Sequence, residues 1–151
     1  RDIYRGVDWP IIVMLAAMIP IGTAIQTTGV SNLIATSISQ YASDLSLFWI
    51  LLIILIITMA TTDIINNAAT AVIMAPISVG IASELGYAIE PFLMVVAVGA
   101  SCAFLTPIGH QCNTVVMGPG NYKFTDYWRM GLPMDILIIL ASIPMILFVW
   151  T

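Results

Sequence analysis

The heptapeptide Thr61-Thr62-Asp63-Ile64-Ile65-Asn66-Asn67 constrains this chain more than any other stretch. It is a polar knot between two apolar runs, residues 45–60 and 68–81. In hydrocarbon a polar group without a partner costs several kcal/mol, so such a knot persists only inside protein or beside a watery cavity. An ionisable Asp63 and two carboxamides at membrane depth are by default a functional site. The surroundings are set by composition: 60% of the 151 residues are hydrophobic and 8% charged, and the mean hydropathy is +1.04. A soluble domain carries about 25% charged residues, so the chain reads as an integral membrane protein. Four Lys and Arg in all, with no basic stripe, exclude a nucleic-acid-binding surface. Cys102 and Cys112 form neither a disulfide framework nor a metal-ligand spacing and read as small packing residues. No signal peptide opens the chain, and its start at Arg1 and its end at Thr151, straight after an apolar run, suit a piece of a longer protein.

Taken in order, residues 9–26 form a first apolar segment with Trp9 at an interface and Pro20 and Gly22 as kink points. Residues 29–42 carry Leu33, Ile34, Ile38 and Tyr41 at helical spacing among polar residues, the pattern of an interfacial helix. These residues, 1–44, form a scaffold-type region. The transport-type region, 45–151, opens with the polar knot and its two arms, the second interrupted by Pro76. Neither arm supplies the ~20 apolar residues of a simple span, so residues 45–84 read as a re-entrant helical hairpin. Residues 91–118 form a discontinuous helix, broken at Thr106-Pro107-Ile108-Gly109-His110-Gln111-Cys112-Asn113 by Pro107 and Gly109. Gly118-Pro119-Gly120-Asn121 is turn chemistry, and residues 132–151 form a final transmembrane helix. Asp126 and Asp135 read as solvated loop charges near Lys123 and Arg129. With this topology Arg1, Arg5, Lys123 and Arg129 share one side, and the positive-inside rule makes residues 1–8 and 119–131 cytoplasmic.

The fold class is therefore all-α, a polytopic membrane protein with two polar breaks. Helix ends at such breaks expose carbonyls, which with carboxamide oxygens can coordinate a desolvated Na⁺, and N–H groups, which can hold an anion. Short, Gly/Pro-interrupted apolar segments are the sequence pointer to a transporter binding site. Asp63 is either an ion or proton ligand or a cap for the second hairpin arm. Asn66 and Asn67 are either ligands or polar glue worth on the order of 1 kcal/mol each. His110 is either a substrate contact or a hydrogen-bonded structural residue.

The stretch 61–71 through Pro76, followed by Ser101-Cys102-Ala103-Phe104-Leu105-Thr106-Pro107 and residues 113–120, resembles the C-terminal half of the divalent anion/sodium symporter family. Residues 122–131 also resemble the segment preceding that family's last helix. The resemblance implies the second of two inverted repeats in an elevator-type, sodium-coupled carrier of sulfate or a dicarboxylate, with no organic cofactor. Its partners would be membrane lipid, the N-terminal repeat and a second copy in a homodimer, in the cell's inner (plasma) membrane. It implies that Asn66 touches both ion and substrate and that Asn67 donates to the anion. Thr61 and the backbone at Gly109 join Asn66 in caging Na⁺, and His110 and Gln111 border the substrate. Two departures bear on the substrate: Ile65 replaces the signature Ser, and His110-Gln111-Cys112 replaces a run of small residues and proline, which favours sulfate or another oxyanion.

The alternative within the same class is a proton-coupled or exchange-type anion transporter, and two other classes compete. An intramembrane enzyme would pair Asp63 with His110, but the sequence offers no second intramembrane Asp, Ser nucleophile motif or His/Glu metal triad, so no enzyme is expected. A scaffold module would leave Asn66 and Gly109 more than about 10 Å apart, too far for one shell of oxygen ligands.

Overall fold

A computed structural model describes residues 45–150 continuously, with isolated positions between 12 and 37 before them. The first apolar segment and the interfacial helix, residues 9–26 and 29–42, thus lie outside the described residues apart from those positions. The described region is all-helical: α1 Leu47–Thr62, α2 Asn67–Leu85, α3 Ile89–Ala100, α4 Gln111–Met117 and α5 Phe124–Trp150.

The two arms of the knot are α1 and α2. At 1.5 Å per residue, the 16 residues of α1 reach about 24 Å, short of a hydrocarbon core of about 30 Å. By contrast α2 has 19 residues and α5 has 27, both long and apolar enough to cross a membrane. The second arm is longer than expected because the helix runs on through Pro76. Proline keeps a helical φ and forfeits one local hydrogen bond, a cost of ~3 kcal/mol or more that packing around Met74, Ser78 and Ile81 offsets.

The centre of the bundle is α3, which packs against both α1 and α2 and more lightly against α5. Phe92, Val95 and Val96 meet Leu51, Leu55, Met74 and Ile81, with Ile143 and Ile146 of α5 closing the cluster. Between helices in lipid such contacts act by close packing rather than by escape from water. Hydroxyls join this apolar interior, and large apolar side chains also cover the outside. Thr58, Thr62, Thr70 and Ser78 are each 0% exposed, whereas Leu137, Leu140, Met145 and Phe148 project from α5. Large apolar side chains outside and hydroxyls inside suit a surface met by lipid or protein.

Two boundaries differ from expectation. The break in the discontinuous helix begins at Ser101, five residues before Thr106, because the hairpin tip takes over the polar groups at the end of α3. Eight residues before the expected position 132, α5 begins at Phe124, and Asp126 is the cause: its Oδ2 accepts the Lys123 N–H at 2.8 Å and closes the first turn. Asp126 is thus a capping residue. Asp135 is no loop charge either; it lies within α5 and is only 8% exposed.

Candidate functional site

The tip between α1 and α2 consists of four residues, Asp63–Asn66, and its backbone turns on the Thr61 carbonyl, which accepts from the Ile64 and Ile65 N–H groups at 3.1 and 2.9 Å. Asn66 is the N-cap of α2, its Oδ1 accepting the Ala69 N–H at 2.8 Å. The alternative of Asp63 as the cap of this arm is corrected accordingly. Asp63 turns the other way, into the break after α3, where its Oδ1 accepts the Leu105 N–H at 3.0 Å. Its backbone carbonyl accepts the Thr106 hydroxyl at 2.6 Å. The same hydroxyl oxygen accepts the Gly109 N–H at 3.2 Å, so Thr106 joins tip and break through one side chain.

Thr62 completes the join. Its hydroxyl donates to the Ala100 carbonyl at 3.0 Å, the last helical carbonyl of α3. That uses its one proton, so the Asn67 carboxamide beside it must present its NH₂ group. Oriented so, Asn67 donates to Thr62 Oγ1 at 2.9 Å and to the Ala100 and Gly109 carbonyls at 3.3 Å each. Gly109 is required by this approach. A Cβ there would stand 2.8 Å from the Thr62 carbonyl oxygen and 2.8 Å from Ala103 Cβ, closer than real Cβ contacts come.

The far side of the break is held from behind. Asn113 Nδ2 donates to the Ala103 and Thr106 carbonyls at 2.8 and 3.1 Å, and the Tyr127 hydroxyl donates to the Asn113 carbonyl at 2.7 Å. Thr114 donates to the Pro107 carbonyl at 2.6 Å. His110 is the N-cap of the short α4, its Nδ1 accepting the Cys112 N–H at 3.2 Å.

These joins create a cavity of about 190 Å³ lined by Asn66, Asn67, Ala68, Ile108, Gly109, His110 and Gln111. It is smaller than the roughly 300–1,000 Å³ of sites for drug-sized ligands. Of the six residues expected at the site, Asn66, Asn67, Gly109, His110 and Gln111 are brought together here, and Thr61 is not. Thr61 lines a separate apolar recess with Ile57, Ala60, Ile64 and Ile65, and its hydroxyl donates to the Ile57 carbonyl at 2.7 Å within α1. A threonine hydroxyl on a helix finds the carbonyl one turn back, which turns it from the tip.

Sequence reasoning missed Thr62, Thr106 and Asn113, whose side chains shape the site without lining the cavity. Their types carried a signal, since buried hydroxyls and carboxamides must find partners, but which partners depends on the pairing of two segments some forty residues apart. The enzyme pairing is absent: Asp63 is engaged with Leu105, and His110, the sole described histidine, caps α4.

The family described as Citrate transporter (CitMHS) matches residues 1–99 of the chain. An uncharacterized transporter of Synechocystis sp. is 37% identical over 149 residues, 99% of this chain and 24% of the relative. An uncharacterized transporter of Escherichia coli is 36% identical over 143 residues, 95% of this chain and 23% of the relative. Sodium/sulfate cotransporter 2 of Chlamydomonas reinhardtii is 27% identical over 139 residues, 91% of this chain and 16% of the relative. The chain spans about a quarter of the length of the first two of these curated relatives.

Proposed function

This chain belongs to the citrate transporter family, and from that premise we propose that it forms the second half of the transport path in a carrier that takes up sulfate or another divalent oxyanion together with Na⁺. Its relatives are transporters and not enzymes, and it is part of a membrane transporter for a small anion.

The observation that carries the finer reading is the shared cavity: two carboxamides from the hairpin tip, and Gly109, His110 and Gln111 from the break, around one small space. The first-turn N–H groups of α2 at Asn67 and Ala68 have no intrahelical acceptor, and with the positive end of the helix they suit an anion. The Gly109 carbonyl and the Asn66 carboxamide oxygen suit Na⁺, since hard cations prefer oxygen ligands. No Asp or Glu lines the space to repel an anion. The likeness to the sodium/sulfate cotransporter of Chlamydomonas reinhardtii supports sodium and sulfate in particular.

In the same reading residues 45–84 are a re-entrant hairpin that moves as part of an elevator, α3 and α4 are the two pieces of the discontinuous helix, and an N-terminal repeat outside this chain supplies the other half of the site. The parent is a homodimer in the plasma membrane, with residues 1–8 and 119–131 cytoplasmic.

The test is uptake of radiolabelled sulfate and of dicarboxylates by the full-length transporter in proteoliposomes, with an inward Na⁺ gradient or with K⁺ in its place. Gradient-driven uptake is expected; equal uptake in K⁺ removes the coupling. Asn66→Ser refines it. Serine retains the N-cap, so thermal stability is expected to change by less than about 0.5 kcal/mol, while the Na⁺ concentration for half-maximal uptake rises at least tenfold. An unchanged Na⁺ requirement would take Asn66 out of the ion site.

A further inference from the structure

Two carboxylates are enclosed behind the cavity, and the transport site as proposed uses neither as a ligand. Asp63 is 4% exposed; Leu105 takes its Oδ1, and its Oδ2 is buried with no partner. Asp135, 8% exposed, has a buried Oδ1 that likewise lacks a partner. The fold brings them into one neighbourhood around Leu105. At Gly131 the backbone of α5 lies directly on the peptide joining Phe104 to Leu105: an added Cβ would collide with the Phe104 carbonyl and stand 3.0 Å from the Leu105 nitrogen. That nitrogen is the donor to Asp63. Asp135 follows Gly131 by one helical turn on the same face of α5. The Cys102 thiol, at the start of the break, lies within electrostatic reach of both carboxylates.

An ionised carboxylate buried without a counter-charge costs more than a fold of ordinary stability can bear, so such a group takes up either a proton or a cation, and two in one neighbourhood raise the cost again through repulsion. The described basic side chains, Lys123 and Arg129, are exposed and neutralise neither. A small cation with oxygen ligands satisfies both orphan oxygens at once. We propose that Asp63 and Asp135 hold a Na⁺ ion between the hairpin tip and α5, separate from the ion at Asn66 and Gly109. The choice of Na⁺ rests on the proposed coupling; the location rests on the two buried carboxylates alone. Such an ion tethers the tip to α5, so its release frees the hairpin to shift against the last helix.

Equilibrium binding of radiolabelled Na⁺ to the purified full-length transporter, without substrate, tests the site. Asp135→Asn is expected to bind one ion fewer per chain than the native protein, and Asp63→Asn to lose that same ion, so that the double variant loses no more than either. An equal count in either variant, eluting as a monodisperse species, overturns the proposal. Infrared difference spectra of the native protein with and without Na⁺ require no variant: a change in the carboxylate stretching bands is expected. Bands that do not respond to Na⁺, including the band of a shared proton held in place of the ion, also overturn it. The two readings fail separately. Uptake that ignores Na⁺ while the Asp135-dependent ion still binds removes the coupling alone, and coupled uptake with an unchanged ion count in Asp135→Asn removes this site alone.

Discussion

The α1–α2 tip has two faces that share a few residues of chain and little else. Its outer face offers Asn66 and Asn67 to a small cavity whose lining holds no carboxylate. The inner face drives Thr62 and Asp63 into the break after α3, where they are 0% and 4% exposed. A surface that must take up and release a solute uses neutral groups, whose hydrogen bonds exchange cheaply with water. A surface that must keep two segments in register uses short bonds away from water, where each is worth more and a missing one costs more. Asn67 belongs to both, its NH₂ turned inward to the Ala100 and Gly109 carbonyls while the residue borders the cavity.

The contrast is broken most severely at Gly109. Gly109→Ala sets a methyl against the Thr62 carbonyl and Ala103, partners that cannot rotate away. Overpacking of this kind costs ~1–3 kcal/mol, and because the strain falls between tip and break it is expected to abolish uptake while the folded transporter is still recovered. Native-like uptake by Gly109→Ala would mean that the two segments do not meet this closely.

The next largest effect belongs to the inner face. Thr62→Val keeps the shape but leaves the Ala100 carbonyl with only its longer Asn67 contact and strands one Asn67 donor contact, a loss of about 1–3 kcal/mol. It should lower the thermal midpoint of the full-length protein in detergent and leave the ratio of sulfate to dicarboxylate uptake unchanged. A changed selectivity with an unmoved midpoint would place Thr62 on the ligand side.

The smallest effect is expected at Thr61. Thr61→Ala removes a hydroxyl bonded only to its own helix and should alter stability by less than about 0.5 kcal/mol, with no change in Na⁺ dependence. A tenfold weaker Na⁺ response would restore Thr61 to the ion site that the family resemblance implies for it.

The residues show why some features were legible in advance. Asn66 next to Asn67 in a turn between apolar runs is conspicuous, and Gly109 with Pro107 announces a break from local chemistry alone. Asp135 was misread because its neighbours in sequence, Lys123 and Arg129, are exposed, whereas burial comes from Gly131 one turn away, seated on the Phe104–Leu105 peptide. The start of the break was displaced for a similar reason. Nothing between Ala100 and Leu105 is a strong helix breaker; the helix ends there because Thr62 and Asp63 take its polar groups.

Apolar runs, their polar interruptions and the scarcity of charge determined that this chain is helical, membrane-bound and broken in two places, since hydrocarbon admits few other arrangements of a backbone. Tertiary structure alone decided that the two breaks meet, that Thr61 faces away, and that Asp63 and Asp135 are both buried on either side of the Phe104–Leu105 peptide. Those outcomes depend on how closely separate helices can approach, which is governed by single glycines and by hydrogen-bond partners some forty residues distant. Local pattern carries no record of such distances.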